Sequence, residues 1–166
     1  MQSKNFYSQK YLKIIFSIFY FLLFSQAHAA GGDSDNSKNN VTKSSSYFEA
    51  LKQIKNESYE SAIKSLLLEE KSTKNDPDIY NYLGYSFRKI NNLEKASFYY
   101  NKALVLSPKH KGALEYQGEM FLTLGQLEKA EDNLKKLEKI CFLGCEEEKM
   151  LKESISKYKE GKKSNY

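Results

Sequence analysis

The chain has 166 residues, 40% hydrophobic and 28% charged, with a formal net charge of +5. That length holds one modest domain and excludes a large multidomain enzyme. Two prolines and eight glycines leave few helix breakers, and after residue 45 Leu, Lys, Glu, Ala and Ile dominate, so helix is the first expectation.

In chain order, Lys4, Lys10 and Lys13 lead into the apolar run Ile14 to Phe24, and Ala27-His28-Ala29 follows. A basic lead-in, a short apolar stretch and an A-x-A site predict a secretory signal peptide over residues 1–29, cleaved after Ala29. The apolar run falls short of the ~20 residues that span a membrane; retention of the run as an anchor is the alternative. The expected location is periplasmic or secreted. Without the leader, 23 basic residues face 21 acidic ones. The remaining Lys and Glu are mixed along the chain, so no basic stripe for nucleic acid is present.

Residues 30–46, AGGDSDNSKNNVTKSSS, offer one branched apolar side chain, Val41, and are predicted to form a disordered linker. From Tyr47 apolar residues recur at helical spacing. The pattern then repeats with a period of 34. Tyr80 aligns with Leu114, Gly84 with Gly118, Phe87 with Phe121, Leu93 with Leu127, Ala96 with Ala130 and Tyr100 with Leu134. The units are about 43–76, 77–110 and 111–144. In the first, Ala50, Tyr59 and Ala62 take the corresponding places, but Ser46 and Glu49 occupy slots that are apolar in the second unit.

Polar turns at Lys55 to Ser58, Asn91-Asn92 and Gly125-Gln126 divide each unit into two helices. Helix is predicted from about Tyr47 to Tyr158, with breaks near residues 56, 74, 91, 108, 125 and 144. Gly or Ala in the first helix lets its second helix approach closely. A cap at 145–160 closes a helical domain at 47–160, with Met150, Leu151, Ile155 and Tyr158 on one side. Residues 161–166 form a frayed tail.

The second unit, PDIYNYLGYSFRKINNLEKASFYYNKALVLSPKH, resembles a tetratricopeptide repeat, with Tyr80, Leu83, Gly84, Phe87, Ala96, Tyr100, Ala103 and Pro108 in that motif's signature places. The third unit has Gln117 for the usual Leu and Leu137 for the usual small residue, while keeping Gly118, Phe121, Gly125 and Ala130. The segments LGYSFRK, GALEYQGEMFL, LEKAEDNLKKLEKIC and GCEEE are also similar to exported bacterial tetratricopeptide proteins whose biochemical role is not established. The resemblance implies an all-α solenoid of about three hairpins plus a C-terminal capping helix. It further implies a concave groove lined by the first helices, with Asn81, Tyr82, Tyr85, Arg88, Glu115, Tyr116, Glu119 and Leu122 facing a partner segment. Tyr and Arg carry binding energy in interfaces, although Tyr82 and Tyr116 equally suit packing between helices. Arg88 equally suits a surface ion pair with Glu115 or Glu119. Chaperone-binding members of the family grip a terminal carboxylate with Lys and Asn. Here Tyr47, Leu51, Tyr82, Gly112 and Tyr116 stand in those places, so that clamp is missing.

An enzyme needs convergent nucleophiles, bases or ligands, and the sequence presents none. His110, beside Pro108, is read as a solvated turn residue, because no Cys/His cluster of zinc-site spacing includes it. There is no P-loop, G-x-G-x-x-G, H-E-x-x-H or C-x-x-C-H. No catalytic residue, cofactor or metal is assigned. Cys141 and Cys145 bracket Gly144 where a helix should end. In an oxidising compartment they favour a disulfide pinning the last repeat to the cap, with buried thiols, redox exchange or metal binding as alternatives. The resulting expectation is an exported scaffold for another protein or peptide segment. A thiol/disulfide accessory using Cys141 and Cys145 and a self-associating assembly subunit are the rivals.

Overall fold

Few residues between Lys43 and Lys162 interrupt helix, and a computed structural model describes this range, residues 43–162. Seven helices fill it: α1 (Ser45–Lys55), α2 (Tyr59–Ser72), α3 (Pro77–Lys89), α4 (Leu93–Leu106), α5 (Lys111–Thr123), α6 (Leu127–Ile140) and α7 (Glu146–Lys159). No strand occurs among the described residues. All six expected breaks fall between helices or at their ends. The expected leader at residues 1–29, residues 30–42 of the expected linker and residues 163–166 lie outside the described range.

One boundary differs from expectation. α1 starts at Ser45, inside the segment read as linker, because the Ser44 hydroxyl accepts the backbone N–H of Ser46 as an N-cap. Just ahead of it, Lys43 pairs with Asp76 and, at 3.0 Å, with Asp78 at the start of α3.

The turn from first to second helix is built the same way in every unit. Glu57, Asn91 and Gly125, spaced at 34, adopt positive φ of 58°, 61° and 72°. The next residue's N–H then reaches back to Gln53, Phe87 and Phe121 carbonyls, each at 2.8 Å. This is the Schellman ending, which satisfies carbonyls a helix would otherwise leave bare. α7 ends likewise, with Gly161 at φ 70° and Lys162 N–H 2.9 Å from the Lys157 carbonyl. The cap thus has the C-terminus of a first helix.

Packing follows the hairpins. α1 lies on α2, α3 on α4 and α5 on α6, while α2, α4 and α6 each also meet the following helix. First helices touch directly, α3 with α5 and α5 with α7. One core cluster joins the first three units through Ala50, Leu66, Ile79, Leu83, Phe87, Tyr100 and Met120; another joins α5, α6 and α7 through Leu114, Ala130, Leu137, Leu151 and Ile155. Leu104 and Phe121 pack against both. Burying one stripe per helix is what stabilises such a stack, since no helix this short is stable alone in water.

The two close-approach glycines have different neighbours. A Cβ on Gly84 would lie 2.6 Å from the Tyr100 ring, in the second helix of the same hairpin, as expected. On Gly118 it would lie 2.6 Å from Leu151 Cδ2, which belongs to α7. The third-unit glycine therefore admits the cap more closely than its own second helix, because Leu134 replaces the tyrosine ring found at position 100.

Candidate binding face of the first helices

Positions 82 and 85 on α3 and 116 and 119 on α5 are repeat-equivalent, so the contact between first helices brings them side by side. The Tyr85 and Tyr116 rings meet at 4.9 Å between centroids. Tyr47 of α1 stands edge-on to Tyr82 at 6.1 Å, and Tyr59 of α2 edge-on to Tyr85 at 6.1 Å. Tyr82, Tyr85 and Tyr116 are each half-buried. Burial raises the phenols of Tyr82 and Tyr116 above their ordinary value, keeping them neutral donors and acceptors.

Beneath these rings lie the charged residues of the expected groove. Arg88 places its guanidinium 5.5 Å from the Tyr85 ring centre and 5.9 Å from that of Tyr116. Its Nη1 is 3.2 Å from Glu119 Oε2, with side chains only 5% and 0% exposed. The pairing anticipated as a surface contact is thus an interior one. The other Glu119 oxygen accepts a hydrogen bond from Ser154 Oγ of α7 at 2.9 Å, so the cap closes over the pair. Burial outweighs Arg88 and holds the Glu119 carboxyl above its ordinary value. Glu115, one turn earlier, is 2% exposed, and its Oε1 has no hydrogen-bond partner. Burial first, then Glu119, pushes its carboxyl up to about 8.

Of the eight expected groove residues, the structure brings Tyr82, Tyr85, Arg88, Glu115, Tyr116 and Glu119 into one patch. Asn81 and Leu122 are also buried, Leu122 within the cluster under α7. The tyrosines alone retain substantial exposure on this face.

Three interactions escaped the sequence. His110 is a helix cap that also hydrogen-bonds Asp78, and not a solvated turn residue. Its Nδ1 accepts the Ala113 N–H at 3.1 Å, leaving Nε2–H to donate to Asp78 Oδ1 at 3.1 Å, with the side chain 14% exposed. That hydrogen bond and Lys43 lower the Asp78 carboxyl to about 2 despite its burial. Gln117, in place of the usual Leu, donates to Asn101 Oδ1 at 2.8 Å and accepts from Asn133 Nδ2 at 3.0 Å. Asn133 also donates to the Leu114 carbonyl at 3.1 Å, which satisfies a polar group inside the stack. Lastly, an open cleft of about 340 Å³ lies away from the tyrosine patch, lined by Glu70, Lys71, Lys74, Asn75, Tyr80 and Lys102. Lys102 spans it, 2.6 Å from Glu70 and 4.0 Å above the Tyr80 ring.

Cys141 closes α6 and Cys145 precedes α7, their sulfurs at bonding distance and their Cα atoms 5.6 Å apart. A disulfide fits that span. With Glu148 they form the grouping of potential metal ligands found among the described residues. Joined sulfurs would leave that grouping with Glu148 as its only metal donor in ordinary form.

Residues 77–110, the whole of the second unit, match the family model described as the tetratricopeptide repeat. The second unit is a tetratricopeptide repeat, and the helical stack around it has a tetratricopeptide-like fold. Solved structures agree on the fold. The first tetratricopeptide domain of Spaghetti (RPAP3), bound to the HSP90 peptide SRMEEVD, superposes with a TM-score of 0.61 at 16% identity, covering 70% of this chain and 89% of that one. The type III secretion translocator chaperone SycD of Yersinia enterocolitica, in an alternative dimer, reaches 0.62 at 22% identity over 76% and 95% of the two chains. SycD in complex with a peptide of the translocator YopD gives 0.60 at 22% identity over 70% and 88%. No curated protein matches the chain. Within this tetratricopeptide-like stack, no described helix is long and apolar enough to cross a membrane.

Proposed function

We propose that this tetratricopeptide protein is a scaffold, not an enzyme, which holds a segment of another protein against its first-helix face. The observation that carries the reading is the row of half-buried tyrosines, Tyr82, Tyr85 and Tyr116, presented by adjacent first helices over a buried ion pair. Aromatic rings of limited flexibility supply contact area at low entropic cost. Peptide complexes of other proteins with this fold support it. The partner differs from the acidic C-terminal type, since Tyr47, Leu51, Tyr82, Gly112 and Tyr116 replace the carboxylate clamp.

The same reading places the protein outside the cytoplasm, with residues 1–29 removed on export and a Cys141–Cys145 disulfide fixing the angle between α6 and the cap. Its test is a photo-crosslinking amino acid at position 82 or 85 in the native host. Recovery of a discrete adduct, lost when Tyr116 is changed to Ala and absent with the crosslinker at exposed Lys135, supports the scaffold. Equal labelling at all three positions rejects it.

A further inference from the structure

Two carboxylates share the floor of the tyrosine patch, and one guanidinium answers them. Arg88 is committed to Glu119 at 3.2 Å, and Ser154 takes the remaining Glu119 oxygen. Glu115 has neither an ion pair nor a hydrogen bond, although only 2% of it is exposed and its Oε1 is fully enclosed. A buried polar group without a partner is uncommon enough to require a reason. The charged and titratable groups that face it are Glu119 on its own helix, Arg88 on α3, Tyr116 on α5, Tyr100 on α4 and Glu147 on α7. The acids outnumber the one cation.

We propose that Glu115 receives a Lys or Arg side chain from the bound segment, so that the partner of the tyrosine face is basic. This rests on the scaffold reading and names the chemistry of its ligand. The incoming cation would pair with the carboxylate that Arg88 leaves unanswered, and the Tyr85 and Tyr116 rings, which already flank a guanidinium, suit a second cation at their solvent side. An acidic segment fits less well. Arg88 Nη1 is taken by Glu119 and its Nε and Nη2 are enclosed beside the fully buried Tyr100, whereas of the two Glu115 oxygens only Oε1 is enclosed without a partner.

The raised Glu115 carboxyl, at about 8, adds a signature. Near neutral pH the free protein holds a proton there, and a bound cation favours the ionised form. Binding therefore releases a proton, and affinity for a basic segment rises as pH goes from about 6.5 towards 8.5.

The experiment is selection of a displayed random dodecapeptide library on the folded protein, followed by synthesis of the enriched peptides. Peptides carrying Lys or Arg should be enriched. Replacing the critical Arg by citrulline, its neutral near-isostere, should weaken binding about tenfold, equivalent to about 1.4 kcal/mol. In Glu115→Gln the two peptides should bind alike. Calorimetry in two buffers of different ionisation enthalpy should count a released proton. Enrichment of neutral or acidic peptides that still require Tyr85 overturns the Glu115 assignment and leaves the scaffold standing. Failure to enrich any Tyr85-dependent peptide overturns both. If Glu115→Gln does not fold, the citrulline comparison and the proton count decide: equal affinities and no released proton overturn the proposal.

Discussion

Replacing Arg88 by Met removes one member of a pair that water scarcely reaches. Glu119, 0% exposed at its side chain, then keeps a buried carboxylate beside Glu115 with only Ser154 donating to it. Breaking a buried pair from one side costs about 3 to 5 kcal/mol, whereas an exposed pair is worth about 0 to 1 kcal/mol. At about 4 °C per kcal/mol for a domain of this size, the melting midpoint should fall by roughly 10 to 20 °C. Urea unfolding followed by helical circular dichroism measures the change directly. Part of the loss should return in acid, because the orphaned Glu119 can take a proton, and its carboxyl already sits above its ordinary value. Arg88→Met combined with Glu119→Gln removes both charges and keeps an acceptor for Ser154, so it should recover to within about 1 kcal/mol of the parent. A single Arg88→Met change of less than about 1 kcal/mol would refute the argument, since it would mean the pair behaves as a surface contact.

Two further substitutions test the repeat geometry. Gly84→Ala pushes a Cβ to 2.6 Å from a rigid, fully buried ring and should cost about 1 to 3 kcal/mol despite better helix propensity, while Gly118→Ala meets the rotatable ends of Leu151 and should stay within about 1 kcal/mol. Equal melting shifts for the two would remove the distinction. Glu57→Gly should stabilise by about 1 kcal/mol, because Glu57 holds φ 58° where glycine is unstrained; Asn91→Gly, at φ 61°, should gain less, asparagine being more tolerant there. A loss of stability in Glu57→Gly would contradict this account of the turn.

The period of 34 was open to reading because local rules write it. A positive-φ turn recurs at 57, 91 and 125, small residues at 50, 84 and 118, and each helix shows its own apolar stripe. The tyrosine patch was partly legible for the same reason, since equivalent positions on adjacent first helices must lie near one another. His110 was misread because its role depends on Asp78, 32 residues earlier, a pairing with no local signal. Gln117 likewise looked like a departure from the motif until Asn101 and Asn133 supplied its partners.

The sequence by itself determined where each helix starts and stops, to within a residue or two, and that the helices repeat as hairpins, because propensity, turn chemistry and periodicity act over a few residues. Only the tertiary structure decided which polar side chains are interior. Arg88 and Glu119 stand on the first helices of different units beside half-buried tyrosines, and Ser154 of α7, which bonds the buried Glu119, arrives from 35 residues further along the chain than Glu119. Solvation is set by every element that covers a group, and the covering elements here belong to other units than the one that carries the charge.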